Sequence, residues 1–185
     1  MDAPQLEGSK ESATCSSLSS RRLWGPQAVI SEPVIILVAT MSGTATFVAD
    51  ELADSLKGKG AKAFVVQMDK AALKMFETRH LFILCSSSHG VGEIPDNGKA
   101  FYELLQSERP DLSKVFYGTV ALGDMTYSAS FCGGGVQFDQ IFADLGATQL
   151  VKRLEHDRRG GSFPEEEALA WLDDWFSAAE SAPAP

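Results

Sequence analysis

The chain has 185 residues, 44% hydrophobic and 22% charged, the balance of one globular domain with a sizeable core. No apolar run reaches the ~18 residues of a membrane-spanning helix, and a formal charge of -9 argues against nucleic acid, whose phosphates need clustered Lys and Arg. Three cysteines, at positions 15, 85 and 132, fit no zinc or disulfide spacing, so a reduced cytoplasm is the expected compartment.

Residues 1–32 are rich in Ser, Pro and Gly and show no sustained period. They read as a disordered N-terminal extension. Ser16-Ser17-Leu18-Ser19-Ser20-Arg21-Arg22 has the character of a transit peptide, which keeps organelle targeting as an alternative, although Asp2, Glu7 and Glu11 precede it. One domain is expected over 33–180, with a frayed tail at 181–185.

Val34 to Ala39 is an unbroken β-rich apolar run, as in a strand buried on both faces. Ala45, Val48, Ala49, Leu52 and Leu56 then recur at helical spacing, and Gly58 and Gly60 stop that helix. A second strand is read at 63–67, a short helix at 70–76, and a third buried strand at 81–85. A polar loop fills 86–97; Phe101, Leu104 and Leu105 mark a helix ending before Pro110. A fourth strand is placed at 115–122. Phe138, Ile141, Phe142 and Leu145 line the next helix, and a fifth strand is placed at 148–154. The last helix starts at Pro164 with Glu165, Glu166 and Glu167 on its positive end, and Ala168, Trp171, Leu172 and Trp175 as its buried stripe. Five strands alternating with helices give an α/β domain, a parallel sheet covered on both faces. Ligands in such sheets sit beyond the carboxyl ends of the strands, which directs attention to the loops after strands one, three and four.

The first loop, Thr40-Met41-Ser42-Gly43-Thr44-Ala45, joins a strand to a helix without any Lys or Arg between Val34 and Asp50. A helix start offers unpaired N–H groups and about half a positive charge; hydroxyls at Thr40, Ser42 and Thr44 add donors, and Gly43 allows close approach. The same residues read equally well as an ordinary helix start capped by Thr or Ser. The loop is neither a Walker loop nor G-x-G-x-x-G, which favours a mononucleotide over a dinucleotide. The third-strand loop, Ser86-Ser87-Ser88-His89-Gly90-Val91-Gly92-Glu93-Ile94-Pro95-Asp96-Asn97, is able to wrap a planar ligand. In the fourth-strand loop, running from Gly123 to Gly135, Tyr127 is better placed to stack on a ligand ring than to enter the core. Cys85 and Cys132 read as buried small residues rather than redox-active thiols.

Thr40-x-Ser-Gly-Thr-Ala45, Ser87-Ser-His-Gly-x-Gly-x-x-Pro-Asp-Asn97, Leu122-Gly-Asp-x-x-Tyr127, Phe131-Cys132 and Leu145-Gly-Ala147 occur in this order. Together they resemble the flavodoxin family, short-chain type, nearest to MioC-type flavodoxins and the FMN domains of sulfite and cytochrome P450 reductases. The resemblance implies a three-layer sandwich around a five-stranded parallel sheet of order 2-1-3-4-5, and non-covalent FMN. It implies that Thr40, Met41, Ser42, Gly43, Thr44 and Ala45 hold the phosphate. Ser86, Ser87, Ser88, His89, Gly90 and Gly92 would border one side of the ring; Leu122, Gly123, Asp124, Tyr127, Phe131 and Cys132 would border the other. Tyr127 matches the tyrosine that stacks on the flavin, and Gly90 the peptide that turns toward the reduced ring. Thr46 stands where relatives carry Glu, and Met125 and Thr126 replace a small polar pair.

On this reading the chain is a monomeric electron carrier rather than a stand-alone enzyme. It takes electrons from a flavin reductase-type donor and passes them singly to a protein acceptor. Acidic residues at Glu93, Asp96 and Asp124 are expected to lower the potential of the reduced flavin and to steer a basic partner. No FAD or NADP-binding pattern is visible, so electrons are expected from another protein. The alternatives are a flavin-dependent NAD(P)H:quinone-type oxidoreductase and a flavin-free interaction module of the same fold. A response-regulator receiver lacks its acidic cluster here, since Ala39-Thr40-Met41 and Cys85-Ser86-Ser87 occupy those places.

Overall fold

The computed structural model describes residues 30–78, 80–88 and 90–183. The extension expected over 1–32 therefore lies outside the described residues except at its end. There Ile30 is buried in the core, and a Glu32 carboxylate oxygen accepts from the His80 backbone N–H at 2.9 Å. Among the described residues the core thus includes Ile30, ahead of the boundary expected at 33. At the other end Ser181 is the last residue of a helix, not part of a tail.

The parallel sheet has β1 (Val34–Ala39), β2 (Ala63–Gln67), β3 (Leu81–Ser87) and β4 (Phe116–Gly123), with β5 (Thr148–Gln149) and β6 (Leu154–Asp157) both on the outer edge of β4. The order is β2-β1-β3-β4-β5, with β6 continuing beside β4. Helices α1 (Thr44–Gly58) and α4 (Pro164–Ser181) cover one face, and α2 (Asp96–Glu108) and α3 (Gly133–Asp144) the other. Alternation along β1 feeds two cores. Val34, Ile36 and Val38 pack under α1 and α4 with Leu52, Leu56 and Trp175. Ile35, Leu37 and Ala39 pack on the opposite side with Phe101, Phe138 and Phe142. That division is why the strand reads as a continuous apolar run.

Three local expectations are corrected. The helix read at 70–76 is instead two 3-10 turns, Met68–Lys70 and Leu73–Glu77, separated where Ala71 and Ala72 take extended backbone. The single strand read at 148–154 is split. Thr148 pairs with Phe116, an offset of 32 residues, whereas Leu154 pairs with Val120, an offset of 34, so two residues loop out between β5 and β6. The excursion is fixed from outside the sheet: Trp171 Nε1 donates to Lys152 O at 2.8 Å, and Arg153 pairs with Asp139 of α3. The three glycines read as loop open α3 itself, after Cys132 in a left-handed conformation.

Those glycines bring α3 against the sheet. A Cβ on Gly135 would lie 2.4 Å from Ala121 Cβ of β4, far inside any real contact. α3 then ties down the third-strand loop: Ser88 Oγ accepts from Gly134 N–H at 3.1 Å, and Gln137 Nε2 donates to Gly92 O at 3.2 Å. The sheet and α3 therefore fix both loops that rise from β3 and β4.

Candidate functional site

Across the carboxyl ends of β1, β3, β4 and β6 runs a cleft of about 670 Å³. Its wall brings together Ser42, Thr44, Ser87, Ser88, Gly90, Gly92, Leu122, Gly123, Asp124, Tyr127, Phe131 and Cys132 from the residues expected on sequence. His89 falls outside the described residues.

At one end α1 begins without a side-chain cap. Its N-cap is Gly43 in the left-handed region (φ 87°), and no acidic residue enters the first turn. The first-turn N–H groups lack intrahelical acceptors by the geometry of any helix. Ser42 Oγ and Thr44 Oγ1 lie 3.2 Å apart, exposed on the same wall. N–H donors, hydroxyls and the positive helix end with no competing carboxylate suit the phosphate of a mononucleotide.

Thr40, Met41, Gly43, Ala45 and Ser86 do not line the cleft with the others. Thr40 Oγ1 is used within the loop, accepting from Gly43 N–H at 3.0 Å. The Ser86 hydroxyl is buried and donates to Ser87 O. Ala45 is buried, and its carbonyl accepts from Cys85 Sγ. Asn97, at the start of α2, fastens the first loop from outside: its Oδ1 accepts from Thr40 N–H at 2.8 Å, and its Nδ2 donates to Val38 O and Gln67 Oε1. Gln67 Nε2 donates in turn to Thr46 Oγ1, which engages that hydroxyl inside the network.

At the other end, Tyr127 sits on a 3-10 segment (Met125–Ser130) interrupted at the tyrosine itself (φ -107°, ψ 59°), and is 55% exposed. An aromatic ring presented this way at a cleft mouth is available for stacking. The loop below it is pinned. Asp124 accepts from Thr126 N–H at 2.8 Å; hydrogen bonding from the Thr126 hydroxyl and then its N–H, backed by Arg158 and Arg159, lowers its carboxyl below the ordinary range. Asp157 Oδ1 accepts from Met125 N–H at 3.0 Å.

The acidic ring expected around the site is not assembled. Asp124 lines the cleft, but Glu93 and Asp96 are drawn to Lys99, at 3.8 Å and 2.7 Å. Arg158 stands on the same wall as Asp124, so the lip carries both signs. Both buried thiols are raised to about 12 by burial, Cys85 against Ala45 O and Cys132 against Ala121 O. Neither is a thiolate near neutral pH.

A wall that the sequence reading did not search comes from the segment between β6 and α4. His156, Arg158, Gly161, Ser162, Phe163 and Pro164 complete the cleft together with Ser130 of the fourth-strand loop, and Phe163 is 62% exposed. The signal was available: in a parallel sheet every strand ends on the same side, so the loop after β6 opens onto the same crevice.

The family model for flavodoxin matches residues 36–171. The chain belongs to the flavodoxin family. It is 32% identical to protein MioC of Escherichia coli K12 over 145 residues, 78% of this chain and 96% of that protein. It is 34% identical to the sulfite reductase [NADPH] flavoprotein alpha-component of Neisseria meningitidis over 147 residues, 76% of this chain but 23% of that protein. Among solved structures, a cysteine-to-alanine mutant of flavodoxin from Pseudomonas aeruginosa superposes with TM-score 0.73 at 29% identity, covering 80% of this chain and 99% of that one. A short-chain flavodoxin associated with a bacterial microcompartment gives TM-score 0.70 at 25% identity. Membership of the flavodoxin family makes FMN the cofactor, and the uncapped start of α1 fits its phosphate. Among the described residues no helix is long and apolar enough to cross a membrane.

Proposed function

We propose that this flavodoxin-family chain binds one FMN non-covalently along the cleft and carries single electrons between a reductase-type flavoprotein and an acceptor protein. The observation that carries the reading is one continuous cleft with an uncapped, hydroxyl-rich helix start at one end and an exposed tyrosine at the other. That span suits a ligand with a phosphate tail and a planar head.

When bound, FMN supplies the electron chemistry, accepting and releasing electrons one at a time. The protein's own groups bind and orient it. Ser42, Thr44 and the first N–H groups of α1 hold the phosphate, Asn97 keeps that turn in place, and Tyr127 lies on the ring. Ser87, Ser88, Gly90, Gly92, Leu122, Gly123, Asp124, Phe131 and Cys132 enclose the remainder. Phe163 leaves apolar surface at the cleft, with Arg158 and Asp124 on the same wall. A partner docking there meets charges of both signs rather than a purely acidic face.

The reading is tested by its electron source. NADPH or NADH added alone to the FMN-loaded protein is expected to leave the flavin oxidised. Addition of a catalytic amount of an FAD-carrying, NADPH-dependent reductase is expected to reduce it. Rapid reduction by NAD(P)H alone would instead identify a flavin-dependent NAD(P)H oxidoreductase.

A further inference from the structure

One imidazole in the cleft is held on one side and open on the other. His156 of β6 pairs in register with Leu122 of β4, and its side chain is only 4% exposed. Its Nδ1 lies 2.9 Å from Glu167 Oε2. The other Glu167 oxygen accepts from Ser162 Oγ. These two contacts, that of Ser162 first, hold the Glu167 carboxyl below the ordinary range, as an acceptor. A carboxylate at Nδ1 places a proton there and leaves Nε2 to serve another partner.

Among the described residues Nε2 has no hydrogen-bond partner. It is not a sealed orphan, because the one fully buried, unpartnered side-chain N or O atom among those residues is Trp175 Nε1. His156 lines the cleft. Buried polar groups are as a rule satisfied, and this one has its second nitrogen in reserve for what occupies the cleft.

Position narrows the partner. Along the path β1-β3-β4-β6, His156 lies three strands from the phosphate-type turn. At about 4.8 Å per strand this is about 14 Å, so His156 meets the end of an elongated ligand opposite its phosphate. Tyr127 and Phe131 share the cleft wall with it. We infer that His156 Nε2 is a hydrogen-bonding contact for the polar edge of the flavin ring, with Glu167 as the positioning residue that fixes its tautomer and Ser162 fixing Glu167. This rests on the FMN reading above. An imidazole nitrogen accepts when neutral and donates when protonated, which suits a ring edge carrying both N–H and C=O groups.

The test compares FMN with riboflavin, which has the ring but no phosphate. His156→Phe keeps the ring volume and is expected to weaken both ligands alike, by about 5- to 30-fold. Glu167→Gln is expected to weaken both alike by a smaller factor. In the wild-type protein the ¹⁵N resonance of His156 Nε2 is expected to move when one equivalent of FMN is added, the three histidines being assigned by substitution. This measurement decides the matter if His156→Phe does not fold. Tight wild-type binding with Nε2 unmoved, or a folded His156→Phe variant that binds both flavins normally, overturns the contact and leaves the cofactor assignment standing. A loss confined to FMN overturns the ring assignment. Failure of the wild-type protein to bind either flavin overturns both.

Discussion

Replacing Ser42 and Thr44 together by Ala is expected to weaken FMN about 100-fold while leaving riboflavin within about twofold. Each hydroxyl hydrogen bond to a phosphate is worth about 1.5–3 kcal/mol, and two of them account for at least that factor. The selectivity follows from position. Both side chains are exposed at the uncapped start of α1 and their hydroxyls bond only to each other among the described residues, so their loss is expected to be felt by the phosphate and not by the ring. Folding should be almost unaffected, since surface substitutions that remove no cap or packing cost less than about 0.5 kcal/mol. Fluorescence titration of the two ligands checks this directly. Equal losses for FMN and riboflavin would place the phosphate elsewhere.

The second large effect belongs to the seam between α3 and the sheet. Gly135→Ala places a methyl 2.4 Å from Ala121 Cβ, on a strand buried between two helical layers. Neither element moves cheaply, so overpacking is expected to cost about 2–3 kcal/mol. The shift would also disturb the Ser88–Gly134 and Gln137–Gly92 contacts that hold the third-strand loop, lowering FMN affinity as well as the urea midpoint. Ala121→Gly in the same chain removes the opposing methyl and should recover more than half of the lost stability. A double variant no better than the single one would show that the close approach is not what the glycine serves.

The fold was legible wherever local pattern and burial agree. β1 sends alternate residues into two cores, and such a strand announces itself as an unbroken apolar run. The strand-to-helix junction at Thr40–Thr44 was legible because an apolar run ending at hydroxyls around one glycine is a local pattern. What was not legible depends on distant partners. The two-residue excursion between β5 and β6 is fixed by Trp171 and Asp139, and nothing in residues 150–153 foretells it. The Thr40 hydroxyl, read as a ligand contact from its type alone, also accepts from Gly43 N–H of the same turn. Glu93 and Asp96 read as acidic neighbours of the flavin until Lys99 claimed them. His156 and Arg158 lie in a stretch of charges before Pro164 that carries no motif of its own; only the parallel topology brings them to the cleft.

The central claim is that the cleft holds one FMN and uses it for single-electron transfer. A potentiometric titration of the purified protein, loaded with FMN and freed of excess, tests it most directly. One flavin per chain, reduced in two separated one-electron steps, is the predicted result. A protein that takes up no FMN, or one whose flavin is reduced in a single two-electron step, would contradict it.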